Sequence, residues 1–272
     1  MTMKKKFKWL IAGAVTAALI GGYCIWQNED IGVSCYSYTS EKIGESLNGY
    51  KIVHVSDLHN KEFGKDSSRL ISLISAQKPD MIIISGDLVD SRRTDIEAAL
   101  TFASKAVEIA PTYYSTGNHE ERFDDNTMAY WLSSLEEIGV RVLENESETV
   151  YVNNESFVIY GLKDGSEWDV SDVFGDTDKL KLMIAHKPHF IERYSSWNPD
   201  LVFSGHVHGG QIRIPFLGGL LSSERIFFPK YCEGVHKVNN TTLVISRGLG
   251  NSIIPIRINN RPELVVVTLE SE

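Results

Sequence analysis

Residues 51–87 read KIVHVSDLHNKEFGKDSSRLISLISAQKPDMIIISGD. Ile52-Val53-His54-Val55 is a short apolar run of the length a buried strand uses, and Met81-Ile82-Ile83-Ile84 is a second. Between them, Asp66 to Ala76 predicts a helix. Leu70, Ile71, Leu73 and Ile74 fall on or near one face, Asp66 is the candidate N-cap, and Lys78-Pro79-Asp80 ends the run. Strand, helix and strand in succession are the unit from which parallel sheets flanked by helices are built.

The pattern continues outward. Thr94 to Glu108 predicts a second helix stopped by Pro111, Thr112 to Ser115 a third strand, and Asp125 to Ile138 a third helix. The second half is richer in strands, expected at 149–152, 156–160, 180–185, 200–203, 226–231, 234–238, 242–246 and 263–269. Asn153-Asn154 and Asn239-Asn240 are suited to hairpin turns. There is no internal repeat and no low-complexity linker. The reading is one α/β domain over residues 31–272, a two-sheet sandwich with helices outside.

Residues 1–30 are different. Lys4, Lys5, Lys6 and Lys8 precede an uncharged stretch from Trp9 to Trp26, which as a helix would span roughly 27 Å, just short of a bilayer's hydrocarbon core. Trp9, Tyr23 and Trp26 sit near its ends, where aromatic rings prefer the interface, and the lysines place that end in the cytoplasm. The expectation is a basic tail and single transmembrane signal-anchor, with the body exported. A cleaved signal peptide competes, but the apolar run is long for one and no A-x-A-like site follows it. Bulky Tyr23 before Cys24 also makes a poor lipoprotein site.

The whole chain of 272 residues carries 27 Lys+Arg against 36 Asp+Glu, a net charge of −9. Without residues 1–29, which hold four lysines and Glu29, the body has 23 against 35, or −12. Such a body repels nucleic-acid phosphates and anionic lipid alike unless a local patch intervenes, so no nucleic-acid partner is expected. Three cysteines are too few for a disulfide framework; Cys35 and Cys232 could pair in an oxidising compartment, but two unpaired thiols is the favoured reading.

Strand ends carry the chemistry. The strand at 52–55 runs into Ser56-Asp57-Leu58-His59, that at 81–84 into Ser85-Gly86-Asp87, and that at 112–115 into Thr116-Gly117-Asn118-His119. The strand at 180–185 runs into His186, and that at 200–203 into Ser204-Gly205-His206-Val207-His208. Ligands of α/β sheets bind outside the carboxyl ends of strands. Asp57, His59, Asp87, Asn118, His186, His206 and His208 together offer hard oxygen and borderline nitrogen without thiolate. That mixture suits Mn, Fe, Zn or Co, with Mn favoured, and holds too much imidazole for Ca or Mg. Seven donors are too many for one ion. Two ions sharing a carboxylate would clamp a phosphoryl group and acidify a water for in-line attack. The glycines before Asp87, Asn118 and His206 would allow close backbone approach. Taken singly, His54 and His236 read as packed or solvated histidines, and Glu120 as a solvated loop charge.

The ordered set Asp57-x-His59, Gly86-Asp87, Gly117-Asn118-His119 and Gly205-His206-x-His208 resembles the calcineurin-like metallophosphoesterase superfamily over about residues 33–270. The resemblance implies a four-layer α/β/β/α sandwich and a dinuclear metal centre. It assigns Asp57, His59 and His208 to a first metal, Asn118, His186 and His206 to a second, and Asp87 to the bridge. It makes His119 the non-ligand histidine that stabilises charge or protonates the leaving oxygen, with Asp90 orienting it as in some phosphatase branches. Val53 to His59, the run Gly205 to Pro215 and the anchor look like the bacterial membrane-associated branch, described as phosphodiesterases or as UDP-2,3-diacylglucosamine pyrophosphatase-like.

The expected function is therefore metal-dependent phosphodiester or diphosphate hydrolysis at the membrane surface, with a lipid-linked phosphate as candidate substrate. A tethered, non-catalytic phospho-ligand module and a nuclease of the same superfamily are the alternatives. Ile212 to Leu221 and Ile226 to Pro229 form a long apolar stretch directly after two site histidines. It reads either as core or as an apolar lip meeting membrane or lipid tail, with Arg213 and Arg225 near an anionic headgroup.

Overall fold

The computed structural model describes residues 3–165, 173–175, 177–222, 225–251 and 256–272. In chain order its elements are α1 (Met3–Glu29), β1 (Gly32–Ser40), β2 (Lys51–Val55), α2 (Ser68–Gln77), β3 (Met81–Ile84), α3 (Ile96–Val107), β4 (Thr112–Tyr114), α4 (Asp125–Glu137) and β5 (Arg141–Val142). Then come β6 (Glu146–Val152), β7 (Glu155–Leu162), β8 (Leu180–Ala185), α5 (Ile191–Ser195) and β9 (Leu201–Ser204). The chain closes with β10 (Arg213–Ile214), β11 (Gly218–Gly219), β12 (Gly234–Val238), β13 (Thr241–Ile245) and β14 (Glu263–Ser271).

Two six-stranded sheets form, ordered β1-β14-β2-β3-β4-β5 and β12-β13-β9-β8-β7-β6. β2, β3 and β4 run parallel in the first, and β7, β8, β9 and β13 in the second. Antiparallel pairs are β14 with β2, β6 with β7, and β12 with β13. The period-2 alternation of strand side chains divides the apolar residues among three spaces. Val53, Val55, Ile82 and Ile84 pack under α2, α3 and α4 with Leu70, Phe102 and Trp131. Ile52, Ile83, Phe157, Ile159, Leu182 and Ile184 fill the gap between the sheets. Val158, Tyr160, Met183 and Val202 pack under α5 with Ile191 and Tyr194. Three interlayer spaces make four layers, the α/β/β/α sandwich expected.

The hairpins turn at Asn153 and Asn239, with φ of 51° and 54°, as asparagine tolerates. Asp95 caps α3 through Ala98 N–H, and Asp124 caps α4 through Asn126 and Thr127 N–H. Asp66 caps nothing. It sits at φ 51° just before α2, and its carboxylate lies 3.9 Å from Lys105 Nζ. Residues 226–231 are not a strand. Apart from one bridge between Leu221 and Phe227 they pair with nothing among the described residues, so Ile226, Phe227 and Phe228 stay exposed. β1, absent from the sequence reading, pairs in parallel with β14 over nine residues. Cys24, Cys35 and Cys232 are free thiols.

α1 is 27 residues long, roughly 40 Å. Phe7–Glu29 is long and apolar enough to cross a membrane, and none of its most apolar window is buried in the protein.

Candidate metal centre

The carboxyl ends of β2, β3 and β4 meet those of β8 and β9 at one rim, where Asp57, His59, Asp87, Asn118, His119, His186, His206 and His208 converge. Except for partly exposed Asn118, all are buried. Asp57, His59, Asp87, His206 and His208 have φ of 51°, 48°, 53°, 70° and 49°, left-handed values that cost non-glycine residues free energy. Cross-loop backbone bonds hold these turns. Asp57 N–H donates to Gly86 O (3.1 Å), His59 N–H to Asp87 O (3.0 Å), and Gly250 N–H to Asp57 O (2.6 Å). The loops pack so closely that a Cβ on Gly205 would lie 1.8 Å from Ser56 Oγ and 2.2 Å from Asp57 Oδ2. Alanine there would displace Asp57.

The side chains gather in two main groups, and a third cluster of His59, Asp90 and His119 overlaps the first at His59. Donor atoms of Asp57, His59 and His208 lie within 4.8 Å of one another, and so do those of Asp87, His186 and His206. Asn118 Oδ1 joins the second, 3.2 Å from His186 Nε2. Asp87 Oδ2 faces both, 3.2 Å from His186 Nε2 and 3.7 Å from His59 Nε2. His186 Nδ1 donates to Ser85 O at 2.7 Å, which aims Nε2 into the site. His206 N–H donates to both Asp57 oxygens at 3.0 Å.

The donor set fits dications. His59 Nε2 and His208 Nε2 face each other at 3.2 Å, and burial lowers both imidazoles, His59 to about 4 and His208 well below its ordinary value. Two neutral nitrogens at that distance, with Asp57 Oδ1 3.5 Å from His208, need a cation or proton among them. In the second group burial pulls His186 down, but Asp87 and Asp57 outweigh it and hold the imidazole up at about 10. That charge in turn keeps Asp87 well below the usual carboxylate range despite burial. Burial, with Asp87 alongside, pushes Asp57 up to about 6. Without metal, protons gather where a dication would replace them.

His119 stands beside both groups. Its N–H donates to Asp87 Oδ1 (2.8 Å), and its ring centroid lies 4.4 Å from that of His59. Its Nδ1 is 3.1 Å from Asp90 Oδ1 and accepts from Ser91 N–H at 3.1 Å. Protonated at Nδ1 the ring pairs with Asp90; deprotonated, it accepts from Ser91. Either form has a partner. His54 is fully buried between the sheets, bonded to Ser85 Oγ at 2.7 Å and outside both groups. His236 bonds Glu233 O at 2.8 Å.

Glu120 corrects the sequence reading. It is fully buried, and its carboxylate accepts N–H bonds from Asp87 (2.9 Å), Val89 (3.0 Å) and Gly117 (2.9 Å). Burial, then the charge of Asp87, pushes it up to about 8 against those three bonds. It ties the β3 and β4 loops together. Glu120→Ala should orphan three N–H groups and lower unfolding free energy by about 2–4 kcal/mol, read by urea titration. An unchanged midpoint would contradict this role.

Two more residues escaped notice. Arg257 is fully buried behind the centre, donating to the carbonyls of Arg247, Gly248, Gly250 and Asn260, with Nη2 3.5 Å from His208 Nδ1. Its sequence signal is a lone charge among Ile256, Ile258 and their apolar neighbours. Asn260, also fully buried, donates from Nδ2 to His208 O at 2.7 Å.

Fold, strand-end motifs and paired clusters together define a metallophosphoesterase. The chain belongs to the calcineurin-like phosphoesterase family, which matches residues 50–210. It is 28% identical over 279 residues to the uncharacterized metallophosphoesterase YkuE of Bacillus subtilis (strain 168), covering 99% of this chain and 96% of that one. It is 30% identical over 228 residues to phosphodiesterase YaeI of Escherichia coli (strain K12), covering 81% and 82%. It is 29% identical over 250 residues to a Danio rerio transmembrane protein with a metallophosphoesterase domain, covering 85% of this chain and 55% of that one. The chain is thus a metal-dependent phosphoester hydrolase.

Proposed function

We propose that the chain is a dinuclear-metal phosphodiesterase or pyrophosphatase working at the membrane surface on a lipid-linked phosphate, its catalytic domain (31–272) held outside the cytoplasm by α1. The observation that carries the two-metal reading is Asp87, one carboxylate oxygen facing both donor groups. Asp57, His59 and His208 would hold one ion; Asn118, His186 and His206 the other. The ions, with Mn favoured, would supply Lewis acidity and a nucleophile at neutral pH. His119 would deliver a proton to the departing oxygen, with Asp90 holding its ring. Hydrolysis of bis-p-nitrophenyl phosphate that depends on added Mn²⁺ and disappears with chelator is the test. No turnover with any of Mn, Fe, Zn or Co would overturn it.

The surface beside the centre supports lipid access. After His208 the chain forms the β10–β11 hairpin, with Phe216 and Leu217 at its tip, and both are exposed, as are Ile226, Phe227 and Phe228. Apolar patches of this kind mark membrane or partner contacts. The hairpin is joined to α1: Tyr23 OH donates to Asn259 Oδ1 (2.6 Å), and Asn259 Nδ2 donates to Arg213 O (3.3 Å). Arg213 is engaged by Glu233 and Gly209 O, which leaves Arg225, exposed beside the patch, as the better headgroup candidate. The lysines before Trp9 favour a cytoplasmic N-terminus.

Replacing Phe216 and Leu217 with serine should lower hydrolysis of hexadecyl p-nitrophenyl phosphate in phosphatidylglycerol vesicles about tenfold or more. Turnover of soluble methyl p-nitrophenyl phosphate should be unchanged. Equal loss on both substrates would sink the lip.

A further inference from the structure

The N-terminal helix does more than precede the domain, because its last turn reaches the two loops that deliver His59 and His208. Gln27 is 4% exposed although α1 is otherwise largely uncovered. Its Oε1 accepts Asn260 N–H at 2.9 Å. Asn260 passes the contact on, donating from Nδ2 to His208 O at 2.7 Å and to Gln211 O at 3.1 Å. The segment it grips is the left-handed run His208, Gly209 and Gly210, with φ of 49°, 61° and 76°. Gly209 is so close that a Cβ there would lie 2.4 Å from Asn260 Oδ1. Gly209 and Gly210 adopt these values freely, but His208 keeps its left-handed backbone only if its surroundings impose it.

The other loop is held by the same turn. Lys61, two residues after His59, donates to Asn28 O and pairs with Glu29 at 3.3 Å. Lys61 N–H also closes the His59 turn on Leu58 O at 2.9 Å. Beyond these, Arg69 donates to Glu29 O and Arg261 pairs with Asp30. Among the described residues, no hydrogen bond or ion pair from α1 reaches the loops of Asp87, Asn118 or His186. The loop after β2 serves the Asp57–His59–His208 group, and the loop after β9 carries His208 of that group with His206 of the second two residues upstream; the α1 contact grips it at His208, Gly209 and Gln211, beyond His206.

We infer that the last turn of α1 is a working part of the first metal site, and that Gln27 is a positioning residue for His208 acting through Asn260. The consequence is directional. Loosening this contact weakens metal binding in the first group more than in the second, because both first-group histidine loops are held by it and only one loop of the second is. Cutting the chain after the anchor would release the domain from the membrane and also disarm its centre. The inference rests on the two-metal reading.

The test uses the full-length chain in detergent micelles. Gln27→Met removes the acceptor at equal length and suits an apolar helix; Gln27→Glu keeps an oxygen acceptor. Cobalt is titrated and followed by its visible ligand-field absorption, with bound metal per chain counted after dialysis. Gln27→Met should weaken one of two sites by about 10–100-fold, the range for groups that orient metal ligands, and Gln27→Glu should restore most of it. In a His206→Ala background, which retains the first group, the Gln27→Met effect should persist. In a His208→Ala background it should vanish. Leu19→Ala, mid-helix, should change nothing. If Gln27→Met binds both ions like the parent, or weakens both equally, the anchor contact does not position the first site. If the parent itself binds fewer than two ions, the two-metal reading fails and the inference falls with it, an outcome told apart from the first because it appears before any substitution.

Discussion

Asp87→Asn is expected to cut phosphodiester turnover by about three orders of magnitude or more while the domain stays folded. The argument is one of charge at fixed shape. Asparagine matches aspartate in outline, so it fits against Gly117, where an added Cβ would come within 2.3 Å of Asp87 Oδ1. It can still accept His119 N–H at that oxygen. What it cannot do is present an anionic oxygen between His59 and His186, the position from which one group would serve both of the proposed ions. Its amide would turn a donor toward both imidazoles. No apolar core contact changes, so circular dichroism and the urea midpoint should stay near those of the parent, and bound Mn²⁺ should fall from two toward one per chain. Full activity in a purified, metal-analysed Asp87→Asn protein would remove this carboxylate from the centre and end the bridging assignment.

The same residue shows why so much of the site could be read from sequence. Asp57, Asp87, Asn118, His186 and His206 follow strands that are short and mainly apolar, and parallel strands place their carboxyl ends along one rim. A motif at each end is then a statement about space. Glu120, Asn260 and Gln27 follow another logic. Each is polar in a polar or helical stretch, and each acts by bonding backbone groups: Glu120 those of Asp87 and Gly117, Asn260 that of His208, Gln27 that of Asn260. A side chain that bonds backbone needs no particular partner residue, so its contacts leave no pattern along the chain. β1 was missed for a related reason. Its SCYSYTS segment is polar and half exposed, and it is held by the register with β14 more than 200 residues away. The 226–231 segment failed in the opposite direction. β-branched and aromatic residues favour strands only where something covers them, and Phe227 and Phe228 are left uncovered.

His119→Ala should slow turnover by about 10²–10⁴-fold and leave the metal content unchanged. Its ring lies with His59 and Asp90, outside the Asp57–His59–His208 and Asp87–His186–His206 groups, and its link to Asp87 runs through the backbone N–H, which alanine keeps. The ring nitrogen is what would be lost. Nδ1 sits between Asp90 Oδ1 and Ser91 N–H, so the ring is held in place whether or not Nδ1 carries a proton. Nε2 can then give up its proton without the imidazole losing its support. If His119 is the proton donor, the defect must depend on the leaving group. p-Nitrophenolate departs readily without help, whereas an alkoxide does not. The variant should therefore lose about tenfold less on bis-p-nitrophenyl phosphate than on a dialkyl phosphate of similar size. Asp90→Asn should give a smaller loss with the same leaving-group trend. The double variant should be little worse than His119→Ala alone, because Asp90 acts through the ring. A uniform loss across leaving groups would instead make His119 a stabiliser of phosphoryl charge, and loss of bound metal would move it among the ligands.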